Sequence, residues 1–332
     1  MTLTSAGRHR EAGDGPHWID VADGESDGYD EYEGDSEYHE QDGADAEEPP
    51  PPRRPLNPFI SALAIFAVLM LGFVAFTVFL TPLQANHEQA LLYDQLREQL
   101  AAGTAAPFSD HGPLPVIEPG TPVAVLTVPA LGLRQVVVEG TASGDLTSGV
   151  GHRRDTALPG QFGVSLLYGR RAAYGGPFAD VVKLVPGNEI RVVTGQGEFA
   201  YLVDGIRRDG DPVPAPLTDG GSRLTLVTAE GRLFLPESTV YVDASLVEGE
   251  AQPAPVRRPQ IVPPAEKAMR SDTSGMLLLT LWLPLLALTF AGIAWLRATL
   301  GRPQALLIGL PVALAVLWNV YDTGLRLLPN LL

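Results

Sequence analysis

The chain has 332 residues, no cysteine and a formal net charge of -16 at pH 7. Without a thiol it has neither disulfides nor cysteine-based nucleophilic or redox chemistry. The charge is no guide to partners across the chain, because sixteen of the acidic residues lie between Glu11 and Glu48, among Gly, Ser, Tyr and Ala. Such a stretch buries too little apolar surface to offset its ordering entropy, so residues 1–57 read as a disordered acidic tail.

Pro49 to Pro52, Arg53 and Arg54 lead into Phe59–Leu80, an uncharged run. It is long enough to cross a hydrocarbon core of about 30 Å as a helix, and residues 58–81 are expected to do so. Arginines precede the run, and no Lys or Arg occurs after it until Arg97. This asymmetry places the tail in the cytoplasm and the segment beyond the run outside. Beyond Thr81-Pro82, Asn86–Ala101 reads as a stalk helix, with Asn86 as its cap, Gln89 at the capping-box position and Leu92, Leu96 and Leu100 on one stripe. A Pro/Gly-rich linker carries this segment to residue 122.

Residues 123–247 change texture. Short runs of Val, Ile, Leu, Tyr and Thr alternate with turn residues, and seven strands are expected: Val123–Val128, Gln135–Val138, Val164–Leu167, Glu189–Val193, Glu198–Val203, Arg223–Thr228 and Thr239–Val242. Gly195-Gln196-Gly197 is a hairpin turn and Phe178–Leu184 a short helix. This spacing favours an antiparallel barrel or sandwich. Residues 248–274 form a second linker, and residues 275–297 and 303–327 two more spans. Arg297 and Arg302 mark the turn between those spans as cytoplasmic, and Asp322 and Arg326 are spaced to pair across one helix turn. The class is therefore mainly β, with an extracytoplasmic barrel, three transmembrane helices and a membrane location. No phosphate loop, metal-ligand cluster or basic nucleic-acid patch is present, so no cofactor, metal or nucleic-acid partner is expected.

Several segments in order resemble the sortase family, most closely the class E type of actinobacteria. They are Val128-Pro129-Ala130-Leu131-Gly132-Leu133, Val138-Glu139-Gly140-Thr141, Gly149-Val150-Gly151-His152 with Thr156-Ala157-Leu158-Pro159-Gly160, Tyr174-Gly175-Gly176-Pro177-Phe178, Leu184-Val185-Pro186-Gly187-Asn188-Glu189-Ile190 and Arg223 to Thr228. The resemblance implies a sortase-like barrel and an activity that cuts a sorting signal such as LPXTG and passes the acyl fragment to an amine. That chemistry needs a cysteine nucleophile, a histidine to move protons and an arginine to hold substrate and oxyanion. The matched positions carry Ala229, Arg170 and Thr239, with Ser238 a second candidate for the last. A methyl group is no nucleophile, and an arginine stays protonated. Ser165, Ser222 and Thr228 are the nearest hydroxyls, none with an identifiable base, and His152 sits at a loop position that does not carry the family's general acid.

The resemblance therefore implies a pseudo-enzyme: a binding or scaffolding module for a sorting-signal-like peptide or a cell-envelope protein. An enzyme with a hydroxyl nucleophile and a subunit of an export or wall-synthesis complex are the alternatives. Arg170, Arg171 and Arg232 are candidates to converge on the groove and hold a carboxylate. The reading preferred over this is an ion pair of Arg170 with Glu230, the residue after Ala229, and the sequence leaves both open.

Overall fold

The computed structural model describes residues 57–109, 112–113, 116–218, 220–232, 234–255 and 258–332. The expected tail falls outside these residues except for Asn57, whose side-chain oxygen accepts from the Phe59 amide and caps the first helix. Helix α1 (Pro58–Ala75) passes through a five-residue π-turn, Phe76–Leu80, into α2 (Thr81–Ala102) without a break. The expected cap at Asn86 is therefore absent. Pro82 removes one backbone donor and would crowd the preceding turn, and the wider π-turn just before it accommodates that loss. Thr77 and Thr81 hydroxyls donate to the Phe73 and Thr77 carbonyls and bind the irregular stretch together. Gln89 does not close a capping box. Its amide reaches the barrel instead, donating to the Val136 and Ser148 carbonyls and accepting from the Val136 amide.

A two-stranded hairpin, β1 (Phe108–Ser109) and β2 (Gly112–Pro113), precedes the barrel. The barrel strands are β3 (Pro122–Val128), β4 (Leu133–Glu139), β5 (Val150–His152), β6 (Gly163–Tyr168), β7 (Glu189–Thr194), β8 (Gly197–Arg208), β9 (Ser222–Arg232) and β10 (Leu235–Glu248). They close in the order β10-β8-β7-β3-β4-β5-β6-β9. All seven expected strands are present, and the two-residue turn at Gly195-Gln196 joins β7 to β8 with Thr194 opposite Gly197. β5 lay below the length at which alternation is legible. The expected helix near Phe178 is a single 3-10 turn, Val181–Lys183.

The barrel is mixed, not antiparallel. β4 runs parallel to β5, and β6 parallel to β9. The reason is connectivity: the long excursions Gly140–Gly149 and Gly169–Gly221 return the chain in the same direction, which tight hairpins cannot do. Inside lies a core that includes Leu126, Val137, Leu167, Ile190, Leu224 and Leu226, all fully buried.

Helices α3 (Met276–Thr299) and α4 (Arg302–Arg326) come next, and with α1–α2 they are long and apolar enough to cross a membrane. Aromatic edges lock α4 to α1 and the π-turn, with ring centroids 5.5 Å apart for Phe73–Tyr321 and 4.9 Å for Phe76–Trp318. Tyr321 also donates to the Leu69 carbonyl at 2.7 Å. The anticipated Asp322–Arg326 pair is present at 2.9 Å. The stretch 248–274 is no free linker: Gln252 is bridged to Gln161, and Glu266 is buried against Arg154.

Candidate functional site

β9 explains why the site is where it is. Its residues 224–229 are buried without alternation, because both faces are covered. Leu224 and Leu226 point into the barrel, whereas Val227 and Ala229 point outward into a second cluster with Leu146, Tyr168 and Leu331. Thr239 stands directly opposite Ala229 on β10, so the two side chains share that outer face. On the other side Tyr168 is level with Val227, and Arg170 comes two residues later. Two bonds tie the end of β6 to β9: Gly169 N donates to the Val227 carbonyl, and Thr228 Oγ1 to the Gly169 carbonyl. The fold therefore assembles Arg170, Ala229 and Thr239 side by side, on β9, β10 and the segment just beyond β6. Gly169 is required there, because a Cβ would run into the Phe178 ring.

All three residues are buried, with Arg170 fully enclosed. Arg170 does not pair with Glu230. Its Nη2 donates to Ser143, at 2.7 Å to both carbonyl and hydroxyl, and its Nη1 donates to the Leu332 oxygen at 3.2 Å. The guanidinium also stands 5.1 Å from the Tyr174 ring centre. Burial pulls its pKa down to about 10, partly offset by Tyr174, and it remains a cation at neutral pH. Glu230 instead receives two hydrogen bonds from Arg208, and this holds its carboxyl below the usual range. The reason is alternation: Glu230 faces the opposite side of β9 from Ala229, the face that Arg208 of β8 shares across β10.

The expected convergence of arginines on an open groove does not occur. Arg171 Nη1 donates to the Ala229 carbonyl at 3.2 Å, and Arg232 is exposed at the tip of the β9–β10 hairpin. What covers Ala229 is the segment after α4, together with residues 265–270. Leu331 is fully buried over the outer face of β9, and Arg171 N donates to its carbonyl. Asn330 donates through Nδ2 to the Thr141, Ala265 and Lys267 carbonyls. Sequence reasoning missed this segment because Leu-Pro-Asn-Leu-Leu after a long apolar helix carries no periodic signal of its own.

The hydroxyls are all occupied or isolated. Ser222 Oγ is 3.0 Å from the Tyr201 hydroxyl, Thr228 donates to a carbonyl, and Ser165 Oγ is buried without a partner. Lys183 pairs with Asp180 on the surface. One alignment has the look of a triad: Thr156 Oγ1 lies 3.2 Å from His152 Nε2, and His152 Nδ1 lies 2.7 Å from Glu139. However, His152 Nε2 is nearer the Ala157 carbonyl, at 2.7 Å, and a nitrogen facing a carbonyl donates. Thr156 in turn gives its proton to the Arg153 carbonyl and accepts from Leu166 N. The ring thus clamps the 152–157 loop to β4 and has no free lone pair for a hydroxyl. Among the described residues no group of three or more His, Asp and Glu side chains is set to hold a metal.

Residues 126–247 match the family model of the sortase domain. The chain is similar to sortase SrtE1 of Streptomyces coelicolor, 32% identical over 159 residues, covering 45% of this chain and 41% of that protein. It is also similar to sortase D of Bacillus subtilis, 33% identical over 86 residues, covering 26% and 42% respectively. The chain therefore spans about two fifths of the length of these curated relatives. Among solved structures, sortase E1 of Streptomyces coelicolor with a tripeptide in its active site is 26% identical, with a TM-score of 0.34, covering 40% of this chain and 91% of that one. A sortase E mutant of Streptomyces avermitilis is 32% identical, with a TM-score of 0.33, covering 45% and 99%.

Proposed function

We propose that this chain, which belongs to the sortase family through residues 126–247, is a catalytically inactive member held in a membrane, its barrel serving outside as a binding or scaffolding module for a peptide or cell-envelope partner. The observation that carries the reading is the buried trio itself: Ala229, Thr239 and an enclosed Arg170 fill the matched positions. No nucleophile, proton shuttle or free guanidinium is available there. A hydroxyl mechanism lacks support for the same physical reason, since each nearby hydroxyl donates elsewhere or has no base within reach. The three apolar helices and their flanking arginines support the membrane location, with residues 1–57 cytoplasmic.

The test is a transfer and hydrolysis assay on the whole chain in detergent or nanodiscs, with LPXTG-like and LAXTG-like peptides. No turnover above background is expected. Turnover that disappears in Ser165→Ala, Ser222→Ala or Thr156→Ala would overturn the reading.

An alternative, a subunit of an export or wall-synthesis complex, has one observation in its favour. An apolar cavity of about 420 Å³ between α1 and α4, lined by Phe76, Phe79, Leu314 and Trp318, is a place for another helix. Crosslinking in native membranes distinguishes the two, because a helix partner would attach through α1 and α4 and a peptide partner through the barrel.

A further inference from the structure

The segment after α4 touches the barrel as a bound peptide would. Its backbone oxygens are taken by donors of the site: Leu331 by Arg171 N at 3.0 Å, Leu332 by Arg170 Nη1 at 3.2 Å, and Leu328 by Ser143 Oγ at 3.4 Å. Its Leu331 side chain fills the apolar space over Val227 and Ala229. Its Asn330 side chain reads three carbonyls, and the Asn330 amide donates to the Arg270 carbonyl at 3.0 Å. Pro329, which has no amide to satisfy, forms a bridge with Ser271. Thus one short segment has its oxygens captured, one apolar side chain seated and one amide recognised.

Arg170 supplies an independent reason. The cation is completely buried, yet no acidic side chain is hydrogen-bonded to it and its Nε has no partner. Its charge is offset only at a distance, by the Tyr174 ring and by Asp322, which Tyr174 holds by a hydrogen bond, and not by a bonded carboxylate. One of its three hydrogen-bond acceptors, the Leu332 oxygen, is supplied by the segment itself.

We propose that the cleft over Ala229 is a peptide site occupied in cis, with residues 328–332 as its resident ligand. A partner enters by offering a segment of the same chemistry: Leu-Pro, a carboxamide side chain, then two apolar residues whose backbone oxygens meet Arg171 N and Arg170 in turn. The proposal rests on the binding-module reading above and specifies its ligand. Tethering through α4 gives the resident segment an effective concentration on the order of millimolar, so a dilute free peptide does not displace it. A partner must arrive tethered or at high local concentration, as two proteins in one membrane do.

The absence of cysteine makes the test clean. Ala229→Cys in the full chain, in nanodiscs, places the sole thiol under Leu331, and its alkylation rate by a maleimide reports whether the cleft is covered. Deleting residues 328–332 is expected to raise that rate at least tenfold. Adding the synthetic peptide Leu-Leu-Pro-Asn-Leu-Leu at millimolar concentration should then restore protection to within about twofold, and a scrambled peptide should not. Equal rates in the intact and shortened chains would overturn the proposal. A faster rate that the peptide leaves unchanged would overturn it too, since the segment would then be a structural plug. If the shortened chain does not fold, Leu331→Asp in the intact chain gives the same readings by ejecting the segment with a buried charge. Turnover of a sorting peptide by the unmodified chain would overturn the inactive reading without altering thiol protection, so the two failures are distinct.

Discussion

His152 and Arg170 lie in the same barrel, both nearly or wholly inaccessible to solvent, and are held by opposite means. His152 stands level with Glu139 on adjacent parallel strands, and the carboxylate meets its ring at 2.7 Å. The loop 152–157 then closes over both. Arg170 has no acidic side chain bonded to it, only the oxygens of Ser143 and Leu332. The first arrangement is what a permanent structural pair requires, since charges out of water persist when partnered and hydrogen-bonded. The second suits a position whose neighbour is meant to change. A buried charge is therefore informative through its partners rather than through its depth.

The largest effect is expected from breaking the paired centre. His152→Leu leaves the Glu139 carboxylate buried without its partner and should cost about 3–5 kcal/mol in unfolding free energy, measured by denaturant titration. Arg170→Met removes a charge and strands no acidic side chain, so it should cost about 1–2 kcal/mol. Equal costs would erase the contrast between the two centres.

A middle effect sharpens it through pH. Asp145 lies beside the segment's anchoring loop, and burial raises its pKa to about 6 from 3.8. The folded carboxyl holds its proton more tightly than the unfolded one, so folding is favoured by protonation. The contribution is full below about pH 4 and is lost as pH rises through about 6, on the order of 3 kcal/mol. Asp145→Asn should flatten the unfolding midpoint across that window, and an unaltered slope would refute the assignment.

A smaller effect concerns the space above β9. Ala229→Cys adds one sulfur to the buried cluster of Leu146, Tyr168, Val227 and Leu331, so the change in stability should stay below about 1.5 kcal/mol. A larger loss would mean that the cleft has closed rigidly around the alanine. The smallest effect is expected at the exposed Arg208–Glu230 pair, where Glu230→Gln should leave the unfolding midpoint where it was. A clear shift would give Glu230 a structural weight that the contrast denies it.

Local pattern made much of this legible. Runs such as Val123–Val128 and Arg223–Thr228 alternate or bury as strands because side chains point to opposite faces every second residue, and three long apolar runs become helices, long and apolar enough to cross a membrane. Seven ordered motifs carried the family, and the types at 170, 229 and 239 carried the expectation of lost chemistry. Strand direction was not legible, because parallel pairing of β4 with β5 and of β6 with β9 depends on where long connections return the chain. Partner choice was hidden too. Arg170 and Glu230 made a reasonable ion pair by charge alone, but alternation along β9 turns Glu230 toward Arg208. Helix continuity through Pro82 came from a π-turn that propensity does not encode. Least legible was the cover over Ala229, since residues 328–332 meet Ser143, Arg170 and Arg171 only after α4 has packed against α1 and the loop at Tyr174. Composition and periodicity thus determined most of the strands, the long apolar helices and the missing thiol. Tertiary packing decided which charges met, which face of β9 was covered and by what, because those contacts join residues well separated in the chain, 22 positions apart for Arg208 and Glu230 and 162 for Arg170 and Leu332.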